Sequence, residues 1–288
     1  MAVMGYLGPP GTHSEAAALY LTEQEGKETG LRAFPDIYSV AQAVLDGEID
    51  SGLVPVENSL EGSINITLDL LAHDASLIVT QELIWGVHNH LMANCPRETI
   101  RTIYSHGQPL AQCREYLKTN FPRAQLIATS STSRAAAAVA AAEPADGCAA
   151  ICTERGGELY GLTLVERDIQ DNMTNCTRFY KIARRPVEQA EQPDGKVLLI
   201  CQIDGKRAGS LCEILQEFAA RGVNMTRIES RPSRTGLGEY IFFFDLETSC
   251  GRSSLEGAIE AVRGRSVWHR HCGEFPVVYA DNIEKGRL

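Results

Sequence analysis

The chain has 288 residues, 44% hydrophobic and 22% charged, a composition that excludes intrinsic disorder and gives room for two domains with sizeable cores. Its formal net charge of -10, without a Lys/Arg cluster, argues against nucleic acid as the main partner. The apolar runs are too short to span a bilayer and the first residues lack a signal-peptide pattern, so neither a membrane partner nor export is expected.

Nine cysteines are present without a C-x-x-C pair, and the shortest spacing separates Cys148 from Cys152. A structural zinc site needs two close pairs, so no metal is expected. The odd number of cysteines in a chain of this length indicates reduced thiols rather than disulfides. We therefore predict a cytoplasmic protein.

Strand-like apolar runs alternate with helical stretches over the first two thirds of the chain, a pattern typical of an α/β fold. In chain order the predicted elements are strand VMGYLG, helix HSEAAALYLTE, helix SVAQAVLDGE, strand DSGLVPVE, helix INITLDLLAH and an extended segment SLIVTQELIWGVHNHLMA. They continue with strand TIRTIYSH, helix LAQCREYLKTNF, strand AQLIATS, helix SRAAAAVAAAE and strand CAAICT.

A charged, proline-punctuated stretch at residues 183–196 has no apolar period and is typical of a linker. Beyond it the predicted elements are strand KVLLICQI, helix GSLCEILQEFAARG, strand VNMTRIESRPS, strand GEYIFFFDLE, helix SLEGAIEAVRG and strand FPVVYA. This β-α-β-β-α-β order predicts a ferredoxin-like domain after a boundary near residue 190.

Polar turns lie where the predicted strands end. In GYLGPPGTHSEAA, Thr12 and Glu15 have the spacing of a capping box, and a helix N-terminus after a glycine turn can bind an anion. An ordinary strand–helix turn is the alternative. VPVENSLEGSI places Glu57, Asn58 and Ser59 at a strand end, where open α/β sheets bind ligands. Asn and Ser could instead serve as helix caps, whereas Glu57 is expected to be partly buried.

Two further turns add hydrogen-bonding side chains. YSHGQPLAQC contributes Ser105, His106 and Gln112, with His106 interpreted as a structural group. ATSSTSRAA contributes five consecutive hydroxyl residues at 129–133, more than one helix cap requires. That surplus indicates carboxylate recognition by hydroxyl and backbone N–H groups. Together the turns predict a cleft for a small anion, without distinguishing an enzyme from a binding protein.

Five motifs occur in the order found in prephenate dehydratases, which the chain resembles along almost its whole length: GYLGPPGTHSEAA, VPVENSLEGSI, YSHGQPLAQC, TSSTSRAA and NCTRFY. The trailing domain, with GSL opening a helix and ESRP ending a strand, resembles the regulatory ACT domain. The chain departs from the family pattern at His13, where the family usually has Phe or Tyr. It also departs at Gly107, where the family commonly has Pro, and at GSLC, where G-A-L-V is usual.

The resemblance implies an α/β fold with a catalytic domain at residues 1–183, made of two α/β subdomains like a type II periplasmic binding protein. Hinges near residues 75–92 and 165–177 would join them. A linker at 184–195 and a ferredoxin-like (βαββαβ) ACT regulatory domain at 196–288 would follow. The implied activity is conversion of prephenate to phenylpyruvate in phenylalanine biosynthesis, with loss of water and CO2 and without a metal or organic cofactor.

The resemblance also assigns three groups of residues. The catalytic group is Thr177, Glu57, Ser105 and Gln112. The substrate-binding group is Asn58, Ser59, Thr129, Ser130, Ser131, Thr132, Arg178 and Phe179. The group expected to bind phenylalanine as a feedback inhibitor, at the interface of paired ACT domains in a homodimer or homotetramer, is Gly209, Ser210, Leu211, Asn224, Met225, Glu229 and Ser230.

The implied reaction suggests roles for two of these residues. A neutral threonine is a poor acid, so Thr177 is predicted to donate a hydrogen bond to the leaving oxygen, with a proton relay from Glu57, His106 or water left open. The ring carboxylate loses its charge as CO2 leaves, so a salt bridge to it would slow the reaction. Arg178 and the hydroxyl residues at 129–133 are therefore predicted to anchor the pyruvyl carboxylate, with Phe179 beside the ring, and a structural salt bridge is the alternative role of Arg178.

Two other functions are compatible with the motifs. An arogenate dehydratase carries out the same chemistry on the transaminated substrate, and only contacts to the pyruvyl end separate the two enzymes. A non-catalytic small-molecule sensor is the second alternative. A sensor would have no use for Thr177, so the intact NCTRFY motif disfavours it.

Overall fold

The structure is a computed structural model that describes residues 1–26, 28–185, 192, 194–234, 236, 238–281 and 283. The predicted linker at 184–195 falls largely outside these residues. The strands are β1 (Ala2–Leu7), β2 (Thr29–Phe34), β3 (Ser51–Asn58), β4 (Gly62–Ser63), β5 (Leu77–Gly86), β6 (His90–Ala93), β7 (Thr102–His106), β8 (Gln125–Thr129), β9 (Cys148–Cys152), β10 (Thr163–Glu166), β11 (Cys176–Arg184), β12 (Lys196–Gln202), β13 (Met225–Pro232), β14 (Tyr240–Glu247), β15 (Trp268–Phe275) and β16 (Val277–Tyr279). The helices are α1 (His13–Glu25), α2 (Ile37–Leu45), α3 (Asn65–His73), α4 (Gly107–Gln112), α5 (Arg114–Asn120), α6 (Thr132–Ala140), α7 (Glu154–Leu159), α8 (Ser210–Ala220) and α9 (Arg252–Arg263).

Three sheets organise these elements. The first has the order β16-β5-β11-β3-β1-β2, with β4 paired to β3, and the second has the order β10-β6-β9-β7-β8. The chain passes from the first sheet to the second after β5 and returns after β10. Two α/β subdomains joined by two crossing segments result, which confirms the fold class expected for the catalytic part.

The third sheet is antiparallel, with the order β13-β14-β12-β15. With α8 and α9 it forms the βαββαβ unit predicted for the ACT domain. Along β12, Val197, Leu199 and Cys201 pack with α8 and α9, whereas Leu198 and Ile200 pack with the first subdomain. Both faces of this strand are buried, which explains why its sequence, KVLLICQI, is almost continuously apolar.

One hydrophobic core therefore spans the first subdomain and the ACT domain. Phe243 and Phe275 of the ACT sheet belong to the same cluster as Leu71 of α3 and Tyr180 of β11. Burying a large apolar side chain contributes about 1.5–3 kcal/mol, so several such residues fix the ACT domain against the catalytic sheet. Among the described helices none is long and apolar enough to cross a membrane.

The structure differs from the predicted elements near the C-terminus. The fourth ACT strand is β15, whose polar sequence WHRHCGEF hides its pairing with β12. The segment predicted to be that strand, FPVVYA, instead continues past Pro276 as β16 and pairs in parallel with β5 of the first sheet. The long helix predicted over LAQCREYLKTNF is broken at Cys113 into α4 and α5. Helix α7 and strand β10 had not been predicted.

Candidate active site

A cavity of about 420 Å³ lies between the two subdomains, a volume typical of small-molecule sites. Strands β3 and β11, helix α4 and the N-termini of α1 and α6 contribute its walls. Its lining includes seven of the predicted site residues: Asn58, Gln112, Ser130, Ser131, Thr132, Thr177 and Phe179.

Asn58 and Thr177 form the centre of this cleft. They are paired residues of adjacent antiparallel strands, β3 and β11. The Asn58 Nδ2 donates hydrogen bonds to Thr177 Oγ1 at 3.1 Å and to Asn175 Oδ1 at 2.9 Å. The Asn58 Oδ1 accepts from the backbone N–H groups of Leu60 and Glu61, which fixes the orientation of the amide. Because Thr177 already accepts a hydrogen bond from Asn58, its own hydroxyl hydrogen is available to a ligand.

Gln112 presents a second donor to the cleft. The Asn89 Nδ2 donates to Gln112 Oε1 at 3.2 Å, so the Gln112 Nε2 is the end of this side chain that can donate to a ligand. Asn89 is fully buried and its backbone N–H donates to Gln170 Oε1 at 2.9 Å. Asn89 is not among the residues predicted from the sequence, where its only signal is its place in the segment that crosses between the subdomains.

His13 forms part of the cleft wall beside Trp85, whose Nε1 donates to His13 Nδ1 at 3.4 Å. Burial, and to a smaller extent the neighbouring His90, lower the pKa of His13 to about 4. His13 is therefore neutral at pH 7. The family departure at this position replaces an aromatic side chain with an uncharged imidazole.

The N-termini of two helices contribute the hydroxyl-rich walls. Ser131 caps α6, since its side chain accepts from Arg134 N at 3.1 Å, and Ser130 and Thr132 line the cleft beside it. The capping box predicted at α1 does not form. The Thr12 hydroxyl donates to Pro9 O at 3.0 Å, and Glu15 accepts from Gly11 N at 2.6 Å.

Gly11 needs to be glycine because its φ is +84° and an added Cβ would lie 3.0 Å from Gly156 Cα in the second subdomain. The Gly11 carbonyl accepts from the Thr153 hydroxyl at 3.0 Å, and the Pro10 carbonyl accepts from the Ser133 hydroxyl. The first polar turn thus joins the two subdomains at one edge of the cleft.

Among the described residues that line the cavity, none is a lysine or an arginine. Anion binding there depends on hydroxyl and amide groups and on the N-termini of α1 and α6. The described part of the chain also contains no cluster of three or more metal-ligating side chains.

Two predicted site residues lie on the opposite face of the strands. Successive side chains alternate between the two faces of a sheet, so Glu57 and Arg178 point away from their neighbours Asn58 and Thr177. Arg178 pairs with Glu57 at 3.3 Å and with Asp245 of the ACT domain at 2.9 Å. This placement conflicts with substrate anchoring by Arg178 and with a proton relay from Glu57, and it agrees with the alternative of a structural salt bridge.

Three other predicted residues also lie away from the cleft. Ser105 is fully buried and its hydroxyl donates to the Ile151 carbonyl at 2.7 Å, inside the second sheet. The Thr129 hydroxyl donates to the Ser131 carbonyl at 2.8 Å and shapes the loop before α6. Ser59 is exposed and accepts from Cys176 N at 3.0 Å. None of the three is among the described residues that line the cavity.

The predicted phenylalanine-binding residues occupy two parts of the ACT domain. Gly209, with a φ of +85°, precedes α8, and the Ser210 hydroxyl donates to the carbonyls of Asp204 and Arg207, while Leu211 packs against the ACT core.

The rest of this group lies on or beside β13. The Asn224 amide donates to Glu247 at 2.9 Å, Met225 is half-buried, Ser230 is exposed, and Glu229 accepts from Ser63 of the catalytic domain.

Comparisons with known proteins agree with this architecture. The family model of prephenate dehydratase matches residues 4–187, and that of the ACT domain matches residues 203–264. A prephenate dehydratase of Lactococcus lactis subsp. cremoris is 36% identical over 276 residues, which cover 95% of this chain and 97% of that protein.

Two solved structures are also similar. The prephenate dehydratase of Arthrobacter aurescens in complex with L-Phe has a TM-score of 0.85 and 30% identity, covering 96% of this chain and 90% of that one. GqqA, described as a novel type of quorum quenching acylase, has a TM-score of 0.84 and 25% identity, covering 96% and 98%. The same fold is thus found in two proteins with different described activities, so the fold alone does not determine the chemistry and the residues of the cleft must do so.

Proposed function

The chain belongs to the prephenate dehydratase family, and from that premise we propose that its cleft holds prephenate with the leaving hydroxyl against Thr177. The enzyme is a lyase that expels water and CO2 from prephenate as the ring becomes aromatic. The observation that carries the proposed geometry is the hydrogen bond from Asn58 Nδ2 to Thr177 Oγ1. It directs the hydroxyl hydrogen of Thr177 into the cleft.

Thr177 acts as a positioned donor rather than as an acid. Its hydroxyl has no pKa near neutrality, so it stabilises the charge that develops on the departing oxygen. One preorganised donor of this kind is worth about 2.7–4 kcal/mol. Gln112 Nε2 is a second donor in reach of the same substrate, and Phe179 flanks the ring as it becomes planar.

Neutral groups bind the two carboxylates. Ser130, Ser131 and Thr132 at the N-terminus of α6 take the pyruvyl carboxylate, which keeps its charge throughout. The ring carboxylate becomes CO2, so a cation beside it would stabilise the ground state more than the transition state. None of the described residues that line the cleft is a lysine or an arginine, which supports this division.

The ACT domain is proposed to bind L-phenylalanine as a feedback inhibitor. The Arthrobacter aurescens relative was solved with L-Phe, and the N-terminus of α8 at Gly209 offers N–H groups to a carboxylate. Asn224, Met225, Glu229 and Ser230 would complete the site across the paired ACT domains of a homodimer or homotetramer in the cytoplasm.

Incubation of the purified chain with prephenate, and separately with arogenate, tests the proposal. Prephenate should give phenylpyruvate, read by its absorbance in alkali, and L-phenylalanine should slow the reaction. Preferred turnover of arogenate to phenylalanine would reassign the substrate. No product from either substrate would leave the sensor as the remaining interpretation.

A further inference from the structure

We propose that Asp245 and Arg227 of the ACT domain are positioning residues for catalysis, acting on Asn58 and Thr177 through Glu57 and Arg178. The inference rests on the proposed role of Thr177 as the donor to the leaving oxygen. It makes the ACT domain part of the catalytic framework even without a bound effector.

The contact between the domains is a set of six charged side chains, four of them buried and two, Arg178 and Glu57, with 18% and 31% of the side chain exposed, which we name the interdomain charge cluster. Its members are Glu57, Glu82 and Arg178 of the first sheet and Lys196, Arg227 and Asp245 of the ACT sheet. Glu82 and Asp245 are fully buried, and Arg227 and Lys196 are 7% exposed. With three acids and three bases, the cluster is electrically balanced only when the two domains are docked.

Arg178 connects the two domains within this cluster. Its Nη1 lies 2.9 Å from Asp245 Oδ2 and 3.3 Å from Glu82 Oε1, and its Nε lies 3.3 Å from Glu57 Oε2. The Tyr180 hydroxyl donates to the same Asp245 carboxylate at 3.0 Å. Removing one partner from such a buried set leaves uncompensated charge, which destabilises its surroundings strongly.

The cluster lies directly behind the catalytic pair. Thr177 pairs with Asn58 across β11 and β3, and the next pair of residues is Arg178 with Glu57. One backbone step therefore separates each cleft residue from a cluster residue on the other face. The register shifts between Arg178 and Phe179, so the strand pair is irregular at this point. The ion pairs hold that irregular backbone in place.

A second contact joins the ACT domain to the cleft wall. Ser63, which lines the cavity, donates a hydrogen bond to Glu229 on β13, and Arg227 on the same strand lies 3.5 Å from Glu57. The Nε and Nη1 of Arg227 are buried without a hydrogen-bond partner among the described residues. The Arg227–Glu57 contact is thus a charge–charge contact without a hydrogen bond.

The interface supplies a matched control. Asp69 on α3 pairs with Arg231 at 3.1 Å and with Arg234 at 2.6 Å, both of the ACT domain. This ion pair joins the same two domains but lies outside the interdomain charge cluster. Loss of the Asp69 ion pairs should weaken docking of the ACT domain without changing the positions of β3 and β11.

Steady-state kinetics of full-length D245N and D69N, each checked for folding by circular dichroism, test the inference. D245N should lower kcat by about tenfold or more with KM within about twofold, the split expected for a misplaced donor, whereas D69N should keep both values near wild type. R178M should resemble D245N, and the double variant R178M/D245N should be no worse than either single one, because both act through one contact.

Where D245N fails to fold, D245E and R178K keep the charges and shift the geometry, and they should show the same loss of kcat on a smaller scale. A folded D245N with the kcat of wild type would overturn the inference, as would equal losses in D245N and D69N. A rise in KM alone for R178M would instead assign Arg178 to substrate binding. An inactive wild-type enzyme would refute the proposed function, which distinguishes the two failures.

Discussion

The two faces of the β3–β11 strand pair are built from opposite kinds of side chain. The face toward the cleft carries Asn58, Thr177 and Phe179, which are uncharged. The face toward the ACT domain carries Glu57 and Arg178, which are ion-paired. Neighbouring residues in the sequence thus serve two different purposes. In the proposed mechanism, the strands separate hydrogen-bond catalysis on one side from electrostatic positioning on the other.

The chemistry explains why the charges lie behind the strands. A cation close to the ring carboxylate would oppose its conversion to neutral CO2. Helix N-termini and hydroxyl groups hold an anion with partial charges only. The same arginine placed behind the strands can instead fix the backbone that carries Thr177.

The largest effect is expected on the cleft face. Thr177→Val removes the donor to the leaving oxygen and should lower kcat about 10²–10³-fold, whereas Thr177→Ser should retain much of the activity. Thr174→Val is the control, because Thr174 is exposed in the same segment and its hydroxyl donates to the nearby Asn172 side chain. Equal activity of the Val and Ser variants at position 177 would remove this residue from the mechanism.

An effect of intermediate size is expected from reversing the direction of the hydrogen bond between Asn58 and Thr177. Asn58→Asp keeps the acceptor for the N–H groups of Leu60 and Glu61 but replaces the donor to Thr177. The Thr177 hydroxyl would then donate to the new carboxylate, and kcat should fall about 10–100-fold, as for a hydrogen bond to a charged group. A pH–rate profile should show partial recovery as that carboxylate is protonated. An unchanged kcat would mean that Asn58 does not orient Thr177.

The smallest effect is expected in the stability of the fold at acid pH, to which His13 in the cleft wall contributes. The pKa of His13 falls to about 4 in the folded chain because of burial, against about 6.5 in the unfolded chain. The unfolded state therefore binds more protons between these values, so stability is full above pH 6.5 and is lost as the pH falls toward 4. His13→Phe should reduce this acid loss, by at most about 1.4 kcal/mol per pH unit.

Urea unfolding at pH 7 and pH 5 measures the effect. The change in free energy of unfolding between the two pH values should be smaller in the variant than in wild type. The same change in both would show that His13 is not the group that takes up the proton. The neutral state of His13 would then contribute nothing to the pH dependence of folding.

Much of the site was accessible from the sequence. Asn58 at the end of β3, Gln112 at the end of α4 and Thr177 at the start of β11 lie in one cleft, as the motifs shared with prephenate dehydratases imply. The period of two along a strand also predicts that Arg178 faces away from Thr177 and Phe179. The alternation therefore contradicts the assignment of all three consecutive residues to one site.

Other residues could not be assigned from the sequence. Ser105 lies near the end of a strand, as Asn58 does, yet its side chain is buried inside the second sheet. Alternation along a strand tells which side chains share a face, but it does not tell which face is buried. Similarly, the continuous apolar sequence of β12 indicates only that both faces of this strand are covered by other layers. The sequence contains nothing that identifies the first subdomain as one of them.

The sequence by itself determined the fold class and the ACT unit, because these follow from local periodicity, and its resemblance to prephenate dehydratases identified the neutral donors of the cleft. The tertiary structure decided what lies behind the catalytic strands. Arg178 and Asp245 are 67 residues apart in the chain, and no local rule connects them. Only docking of the ACT sheet creates the buried site in which these two charges require each other.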